Sequence, residues 1–236
     1  MPITATESTF EEATIQRLQN LGYRYQYGGS LEREPHTVLL PHLLREHLRQ
    51  RYRHLPPLAI EKAIATISAP EGATLDRRNR HFHRLLREGA IIPYDDPETG
   101  QPRDEHVYFF NFEQPGLNDF LVVNQLSISG SARGGLQVGN TRRPDIIVYV
   151  NGLPLVLFEL KSPWDEYADV AGAYNQLQHY VVDIPQLFTF NAFCVLSDGV
   201  TSLHGMYRAG FQWFAPWKPA RYMRSEEHTS ELQSRS

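Results

Sequence analysis

Two carboxylates and a lysine lie near two apolar runs in the middle of the chain. Asp145 precedes the run 146–150, while Glu159 and Lys161 close the run 155–160. Carboxylates a few ångströms apart repel one another unless a cation neutralises them, and oxygen ligands of this kind suit Mg²⁺. A nearby ammonium group can orient an attacking water and stabilise charge on a phosphate. These residue types therefore indicate metal-assisted hydrolysis at phosphorus.

The turn between the two runs predicts that the acidic residues are neighbours. Asn151-Gly152 is a strong hairpin signal, and a hairpin there brings Asp145 beside Glu159. Glu159 and Lys161 are two residues apart and therefore point to the same face of a strand. At the end of a strand buried on both sides, such groups are costly unless they are paired or bound to a metal. The alternative is a surface strand that ends in an ordinary Glu–Lys pair.

A helix predicted after this hairpin adds two polar residues, Gln176 and Tyr180. They are four residues apart and so share one helical face. Because the helix follows Lys161 closely, these side chains can reach the same pocket. The alternative is a half-buried polar pair on an amphipathic helix.

The second half of the chain is predicted to form a mixed sheet with a helix packed on it. β-Branched and aromatic residues favour strands over 107–112, 120–128, 146–150, 155–160, 193–196 and 200–206. A helix is predicted over 167–182, and the order of strands, helix and strands indicates the mixed sheet. The segment 93–104 has the residues of a loop.

The first part of the chain is predicted to be helical. Apolar residues recur at helical spacing over 10–21, 40–54, 58–67 and 77–88. Two of these helices carry arginine runs, at Arg45, Arg49, Arg51 and Arg53 and at Arg77, Arg78, Arg80, Arg84 and Arg87. The runs are either solvated faces with ion pairs to Glu46 and Glu88 or faces that contact phosphate or dock a subunit.

Composition excludes several classes of protein. The 236 residues are 41% hydrophobic, enough for a sizeable core in one large or two small domains. A single cysteine excludes a disulfide framework and a cysteine zinc site. With no secretory signal and no run near the ~20 apolar residues of a membrane span, we expect a cytoplasmic protein with no membrane partner. Only 3 of the 23 basic residues are lysine, which makes the position of Lys161 more informative.

Two further patterns are interpreted as non-functional. The segment 134–141 has the glycines and the hydroxyl of a phosphate-binding loop, but Asn140 stands where lysine is needed and no helix follows. His81 and His83 lie in a helical pattern, where residues two apart do not face each other. We therefore expect an ordinary loop and no histidine metal site.

The C-terminal segment 224–236 has no apolar periodicity and resembles the translation of a sequencing-library adapter. We expect it to be non-native, with the natural protein continuing beyond Met223. The alternative is a genuine polar tail.

The motifs together resemble a known family. Asp145, Glu159-Leu160-Lys161 and the Gln176–Tyr180 pair match a PD…(D/E)xK…QxxxY arrangement. It is similar to that of the nuclease domain in the restriction (R) subunit of type I restriction–modification enzymes. The stretches FEEATIQRLQNLGYRY, RRPDIIVYVNGLPLVLFELKSP and FNAFCVLSDGVTSLHG resemble the same family. The resemblance implies an α/β fold with a restriction-endonuclease-like mixed β-sheet core flanked by helices and a helical N-terminal part.

The resemblance also implies roles for the motif residues. Asp145 and Glu159 would hold Mg²⁺, and Lys161 would position or activate the water. Gln176 and Tyr180 would support the site or contact DNA.

The family also places an acidic residue of the first helix near the metal. We choose Glu12 for this position, with Glu11 and Glu7 as alternatives. Arg142 and Arg143 precede the catalytic strand and are candidates for phosphate contact, although an exposed turn is the alternative for each.

On this resemblance, residues 1–223 form an N-terminal endonuclease domain, helix-rich over 1–105 and with the catalytic sheet over 106–223. We expect Mg²⁺-dependent hydrolysis of double-stranded DNA by water, without a covalent intermediate. Cleavage would follow ATP-driven translocation by a missing C-terminal motor, so ATP would act only through that motor. The expected partners are the modification (methyltransferase) and specificity subunits. The alternatives are a stand-alone repair or recombination nuclease and a catalytically silent module that binds DNA or another subunit.

Overall fold

The structure is a computed structural model that describes residues 7–130, 140–162 and 169–217. The helices are α1 (Glu7–Asn20), α2 (Pro41–Arg51), α3 (Pro57–Ser68), α4 (Leu75–Glu88), α5 (Val170–Asp183) and α6 (Pro185–Phe188). The strands are β1 (Arg24–Tyr27), β2 (Ala90–Asp95), β3 (Pro102–Val107), β4 (Phe120–Asn124), β5 (Ile128–Ser129), β6 (Thr141–Arg142), β7 (Ile146–Val150), β8 (Leu153–Leu160), β9 (Phe193–Ser197), β10 (Ser202–Gly205) and β11 (Ala215–Pro216). Within these ranges no helix has the length and apolar character needed to cross a membrane.

The centre of the fold is a seven-stranded mixed sheet in the order β1-β4-β7-β8-β9-β10-β11. The pairs β1–β4 and β8–β9 are parallel, and the remaining neighbours are antiparallel. Two short ribbons, β2–β3 and β5–β6, lie outside it. The predicted α/β fold with a mixed sheet is confirmed, and it is consistent with a restriction-endonuclease-like core.

Helices cover both faces of the central strands, which explains their continuous apolar runs. On one face, Ile15 of α1 packs with Ile146 and Val148 of β7. On the other face, Ile147 and Tyr149 join the main core, to which α5 contributes. Because side chains alternate along a strand, every residue of β7 is buried.

The predicted hairpin between β7 and β8 is confirmed. Asn151 and Gly152 have φ angles of 52° and 81°, the left-handed pair of a type I′ turn. The Asn151 side chain is buried, donating to the Phe109 carbonyl at 3.0 Å and accepting from the Asp119 amide at 2.8 Å. The turn is thus anchored by its own side chain.

Half of the segment 93–104, predicted to be a loop, belongs to β2 and β3, and the other half, residues 96–101, connects the two strands. Pro93 and Pro102 fit in these strands because a two-stranded ribbon leaves each strand with one unpaired edge. The strand predicted over 107–112 is also wrong, since β3 ends at Val107. The amide of Tyr108 donates instead to the Tyr52 hydroxyl at 2.7 Å.

The strand predicted over 120–128 is interrupted. β4 ends at Asn124, and Gln125 has a φ angle of 52°. Its amide donates to the Asp145 carbonyl at 3.0 Å, immediately before β7. The first four predicted helices are confirmed with shifted ends. The proposed loop at 134–139 and the tail at 224–236 lie outside the described residues.

Candidate active site

A cleft of about 810 Å³ opens at the sheet edge where β7 begins and β8 ends. Asp145 and Lys161 enter it from the hairpin, Gln176 from α5, and Glu11 and Glu12 from α1. The structure therefore gathers residues from three separate parts of the chain around one opening.

The β7–β8 register explains how the two central carboxylates meet. Ile146 pairs with Phe158, so Asp145 lies opposite Glu159 at the next position. The Asp145 Oδ2 atom accepts a hydrogen bond from the Leu160 amide at 2.7 Å. The hairpin thus brings the two acidic residues together, as the position of the turn predicted.

Glu159 is fully buried. Burial raises the pKa of its carboxyl to about 8 and the negative charge of Asp145 adds to this increase, while the ammonium of Lys161 and the hydroxyl of Tyr180 oppose it. Its Oε2 atom has no hydrogen-bond partner among the described residues. A buried carboxylate oxygen without a donor is unfavourable, so this position favours a proton or a cation.

The donor set fits Mg²⁺ on chemical grounds. No three His, Cys, Asp or Glu side chains in the described ranges come close enough to hold a metal ion by themselves. Mg²⁺ in proteins is commonly held by one or two carboxylates, with water and phosphate oxygens completing its shell. Asp145 and the unpartnered oxygen of Glu159 are the residues that would hold it.

Lys161 connects the hairpin to α5. Its Nζ atom donates to Glu159 Oε1 at 3.0 Å and to Gln176 Oε1 at 3.4 Å. Gln176 Nε2 in turn donates to the Tyr180 hydroxyl at 2.8 Å. The four-residue spacing therefore places Gln176 and Tyr180 on the face of α5 that meets the site, rather than in an unrelated polar pair.

The Tyr180 side chain is buried inside the protein. Only 2% of its surface is exposed, and burial followed by the charge of Glu159 raises the pKa of its hydroxyl. Gln176 is exposed and lines the cleft. Of the two, only Gln176 is placed to meet a ligand directly.

The acidic residues of α1 differ in their surroundings. Glu11 is 7% exposed, and its two oxygens accept hydrogen bonds from Asn124 Nδ2 and Gln125 Nε2, each at 2.6 Å. Glu12, the residue chosen from the sequence, is exposed and also lines the cleft. Glu7 begins α1, but its side chain lies outside the described part.

The sequence did not separate Glu11 from Glu12. They lie four and three residues before Ile15, which packs on the sheet, and both spacings share one helical face. Burial and hydrogen bonding distinguish Glu11 only in the folded structure.

The two arginines before β7 diverge. The Arg142 Nε atom donates to Asp183 Oδ2 at 2.6 Å, which ties it to the end of α5. Arg143 is exposed and lines the cleft. Arg143 is thus the one of the pair that can reach a phosphate in the cleft.

Some arginines of the two runs form ion pairs in the described ranges, and others do not. Arg45 pairs with Glu61 of α3 at 2.5 Å, not with Glu46 as one interpretation predicted. Arg87 pairs with Glu88, as that interpretation expected. In the described ranges Arg77, Arg80 and Arg84 form no ion pair, and all three are exposed.

The two histidines of α4 make separate contacts. His81 Nδ1 accepts a hydrogen bond from the Glu71 amide at 2.7 Å, and His83 Nε2 lies 3.0 Å from the Asn191 carbonyl oxygen.

Comparison with known proteins agrees with the resemblance noted in the sequence. A family model described as "Type I restriction enzyme R protein N terminus" matches residues 4–213. The type I restriction enzyme HindI endonuclease subunit of Haemophilus influenzae is 38% identical over 220 residues, covering 90% of this chain. The putative type I restriction enzyme MjaIXP endonuclease subunit of Methanocaldococcus jannaschii is 30% identical over 217 residues, covering 88%.

The chain spans about 20% of the length of each of these two relatives. A third relative, the type I restriction enzyme EcoprrI endonuclease subunit of Escherichia coli, is 25% identical over 192 residues, with 74% of this chain and 57% of that protein covered. Together with the match over residues 4–213, these similarities show that the chain belongs to the family of type I restriction enzyme R proteins, as their N-terminal region.

Proposed function

We propose that the cleft is the active site of a Mg²⁺-dependent DNA endonuclease. The observation that carries this proposal is the fully buried Glu159, whose Oε2 atom has no partner in the described structure while Asp145 lies opposite. A fold gains nothing in stability from such an arrangement. It is explained if a cation joins the two carboxylates when the enzyme works.

The remaining residues fit hydrolysis at phosphorus. Bound Mg²⁺ would polarise the phosphate and promote ionisation of water. Lys161, held by Glu159 and Gln176, would orient the attacking water and stabilise charge on the phosphate oxygens. The water oxygen forms the new bond to phosphorus, the bond to the leaving sugar oxygen breaks, and that oxygen acquires a proton. Arg143 would contact the phosphate backbone.

The acidic residue that the first helix contributes near the ion is best assigned to Glu11, beside the two carboxylates that would hold the ion. Its carboxylate is fixed at the cleft wall by two hydrogen bonds, whereas Glu12 is exposed to solvent on the same opening. Gln176 would contact the substrate or water, and Tyr180 would support Gln176 from within. Glu12 remains the competing assignment, and the variants described below separate the two.

The context of the activity follows from the relatives. They are named as endonuclease subunits of type I restriction enzymes, so we propose that this chain is the nuclease part of a longer R subunit. Double-stranded DNA would be cut after ATP-driven translocation by a motor elsewhere in that subunit. The modification and specificity subunits would be its partners, in the cytoplasm. A silent binding module is disfavoured because the buried carboxylate would then have no use.

Plasmid cleavage by the complete restriction complex tests the proposal. Asp145→Asn, Glu159→Gln and Lys161→Ala should each abolish cutting while ATP hydrolysis persists. Lys62→Ala is a matched control, because Lys62 donates only to the Pro93 carbonyl, away from the cleft. Cutting at the normal rate by the Lys161→Ala complex would contradict the proposed site. Loss of cutting in Glu11→Gln but not in Glu12→Gln would assign the helix residue.

A further inference from the structure

The strand that faces α1 ends in an unusual backbone turn. Gln125, directly after β4, has a φ angle of 52°, which is uncommon for a residue with a long side chain. Such conformations persist where the surroundings determine them, and they concentrate at functional sites. The surroundings of Gln125 therefore indicate what the turn achieves.

The turn directs two successive amides to one carboxylate. In a regular strand, neighbouring side chains point to opposite faces. Here Asn124 Nδ2 and Gln125 Nε2 both donate to Glu11, one to each oxygen, at 2.6 Å. The Gln125 backbone amide also donates to the Asp145 carbonyl at 3.0 Å. One turn thus links the acidic residue of α1 to the start of the catalytic strand.

The chemistry of the donors is informative. An arginine or lysine in their place would neutralise Glu11, whereas neutral amides orient the carboxylate and leave its negative charge. A carboxylate offers about four lone-pair sites, so two hydrogen bonds leave others free toward the cleft. The Asn124 side chain is itself held, because its Oδ1 atom accepts from the Tyr25 hydroxyl at 3.0 Å.

We propose that Asn124 and Gln125 are positioning residues that hold the Glu11 carboxylate for the metal site. This proposal rests on the proposed nuclease function. The strained backbone at Gln125 is retained because it lets the second amide reach Glu11.

Gln125→Gly gives the sharpest test, because glycine adopts a positive φ readily while lacking the amide. Thermal stability of the chain should change little, because relief of the strained backbone offsets the lost hydrogen bond to Glu11. The Mg²⁺ concentration that gives half of the metal-dependent rise in Tm, measured without DNA, should increase by about tenfold, as is typical when a group that orients the surroundings of the metal ligands is lost. Plasmid cutting by the complete complex should fall in parallel.

Gln125→Asn is the matched control, since asparagine tolerates this backbone conformation and keeps an amide; it should restore part of the Mg²⁺ response. Asn124→Asp should also weaken the response, because it places a second negative charge against Glu11. A Gln125→Gly chain with the Mg²⁺ dependence of the unchanged protein would overturn the positioning role. If Asp145→Asn were also to cut normally, the proposed function itself would fail.

A separate surface carries an independent inference. Arg77, Arg80, Arg84 and Arg87 are all exposed and follow one another at helical spacing along α4. We call these four residues the arginine strip. Ten residues of helix rise by about 15 Å. The same helix buries Phe82, Leu85 and Leu86 on its other side.

The strip fits a polyphosphate better than a protein. Protein interfaces normally have an apolar centre, whereas the shallow groove beside the strip is lined, apart from Gly72 and the arginines, by Glu71, His81 and His83. Guanidinium groups match phosphate oxygens in pairs, and about 15 Å of one DNA strand carries roughly four phosphates. In the described ranges, only Arg87 of the four has an ion-pair partner.

The strip is remote from the cleft. Asn79 of α4 donates to the carbonyls of Phe188 and Asn191, just before β9 begins. The cleft lies at the other end of the sheet, where Leu160 pairs with Ser197. We infer that the arginine strip binds the backbone of double-stranded DNA at a second place, separate from the cleavage site. This inference also rests on the proposed function.

Binding of the chain to a labelled duplex, measured by fluorescence anisotropy over a range of salt concentrations, tests the strip. The triple variant R77Q/R80Q/R84Q should reduce the slope of log affinity against log salt by about 2 to 3. R77K/R80K/R84K should keep most of the slope. The variant R24Q/R45Q/R103Q removes the same charge from arginines that are paired with carboxylates, so it should change the slope less.

An unchanged slope in the R77Q/R80Q/R84Q chain would overturn the inference. The inference would also fail if this variant bound DNA normally but no longer assembled with the other subunits. Plasmid cutting by the Asp145→Asn complex tests the nuclease separately, so a failure of the strip is distinguishable from a failure of the proposed nuclease.

Discussion

The Lys161 ammonium lies 3.0 Å from one oxygen of Glu159, and the other oxygen of that carboxylate has no partner in the described structure. The lysine side chain is 17% exposed and the glutamate side chain is fully buried. The pair therefore compensates only part of the cost of removing Glu159 from water. Four predictions follow from this site and from the packing around it.

Removing the lysine should destabilise the protein. Lys161→Ala leaves Glu159 buried beside Asp145 without a cation, and we expect a loss of about 2 kcal/mol at neutral pH, less than for a fully buried pair because Lys161 is partly exposed. Urea unfolding of the chain without Mg²⁺ measures this loss. The double variant E159Q/K161A should recover most of this lost stability. If the losses of the two single variants simply add in the double variant, Lys161 does not stabilise Glu159.

Mg²⁺ should stabilise the folded chain through the same two carboxylates. A ligand that binds only the native state raises Tm with increasing concentration, and we expect such a rise for Mg²⁺ in the absence of DNA. Asp145→Asn and Glu159→Gln should each abolish it. Glu105→Gln is the control, because Glu105 contacts His54, outside the cleft. A Mg²⁺-dependent rise that survives in both site variants would place the ion elsewhere.

His47 should lower the stability of the protein in mild acid, in opposition to Glu159, whose raised pKa makes stability increase as the pH falls below about 8. This side chain is 7% exposed and its Nε2 atom is without a partner in the described ranges. Burial, then the charge of Arg51, lowers the pKa of His47 to about 4. Between pH 6.5 and 4 the unfolded chain binds the extra proton, so stability is lost as the pH falls through this window, by up to about 3 kcal/mol.

Unfolding by urea at pH 7 and pH 4.5 checks this prediction. His47→Gln should raise the stability at pH 4.5 relative to that at pH 7, compared with the unchanged protein, whereas His36→Gln should leave the difference as it is, because His36 is exposed. An equal pH dependence in the His47→Gln chain would show that another group is responsible.

The hairpin turn should be intolerant of any side chain at Gly152. Its φ angle is 81°, and an added Cβ atom would collide with the Leu40 carbonyl oxygen. Gly100→Ala is a matched control, because Gly100 has a φ angle of 66° with open space around it. Gly100→Ala should lower the free energy of unfolding by about 1 kcal/mol through its backbone conformation alone. Gly152→Ala should lower it clearly more, and thermal unfolding measures both losses. Equal losses would show that a Cβ atom at position 152 does not collide with the Leu40 carbonyl oxygen.

Local patterns in the sequence were sufficient to predict the β7–β8 hairpin. Asn151-Gly152 specifies the turn through backbone conformation alone, and the apolar runs on either side specify two buried strands. The neighbouring positions of Asp145 and Glu159, and the shared face of Gln176 and Tyr180, follow from the periods of strands and helices. These are short-range properties, so they can be read without knowing the rest of the fold.

Tertiary structure alone decided the contacts between distant segments. The amides that hold Glu11 come from Asn124 and Gln125, more than a hundred residues along the chain, and the positive φ of Gln125 has no local signature such as glycine. The partner of Arg45 is likewise on another helix. Such contacts depend on how α1 packs on the sheet and how α2 packs on α3, which no local periodicity encodes. The sequence thus determined the β7–β8 hairpin and its two carboxylates, while the packing decided which acidic residue of α1 is buried and hydrogen-bonded at the cleft.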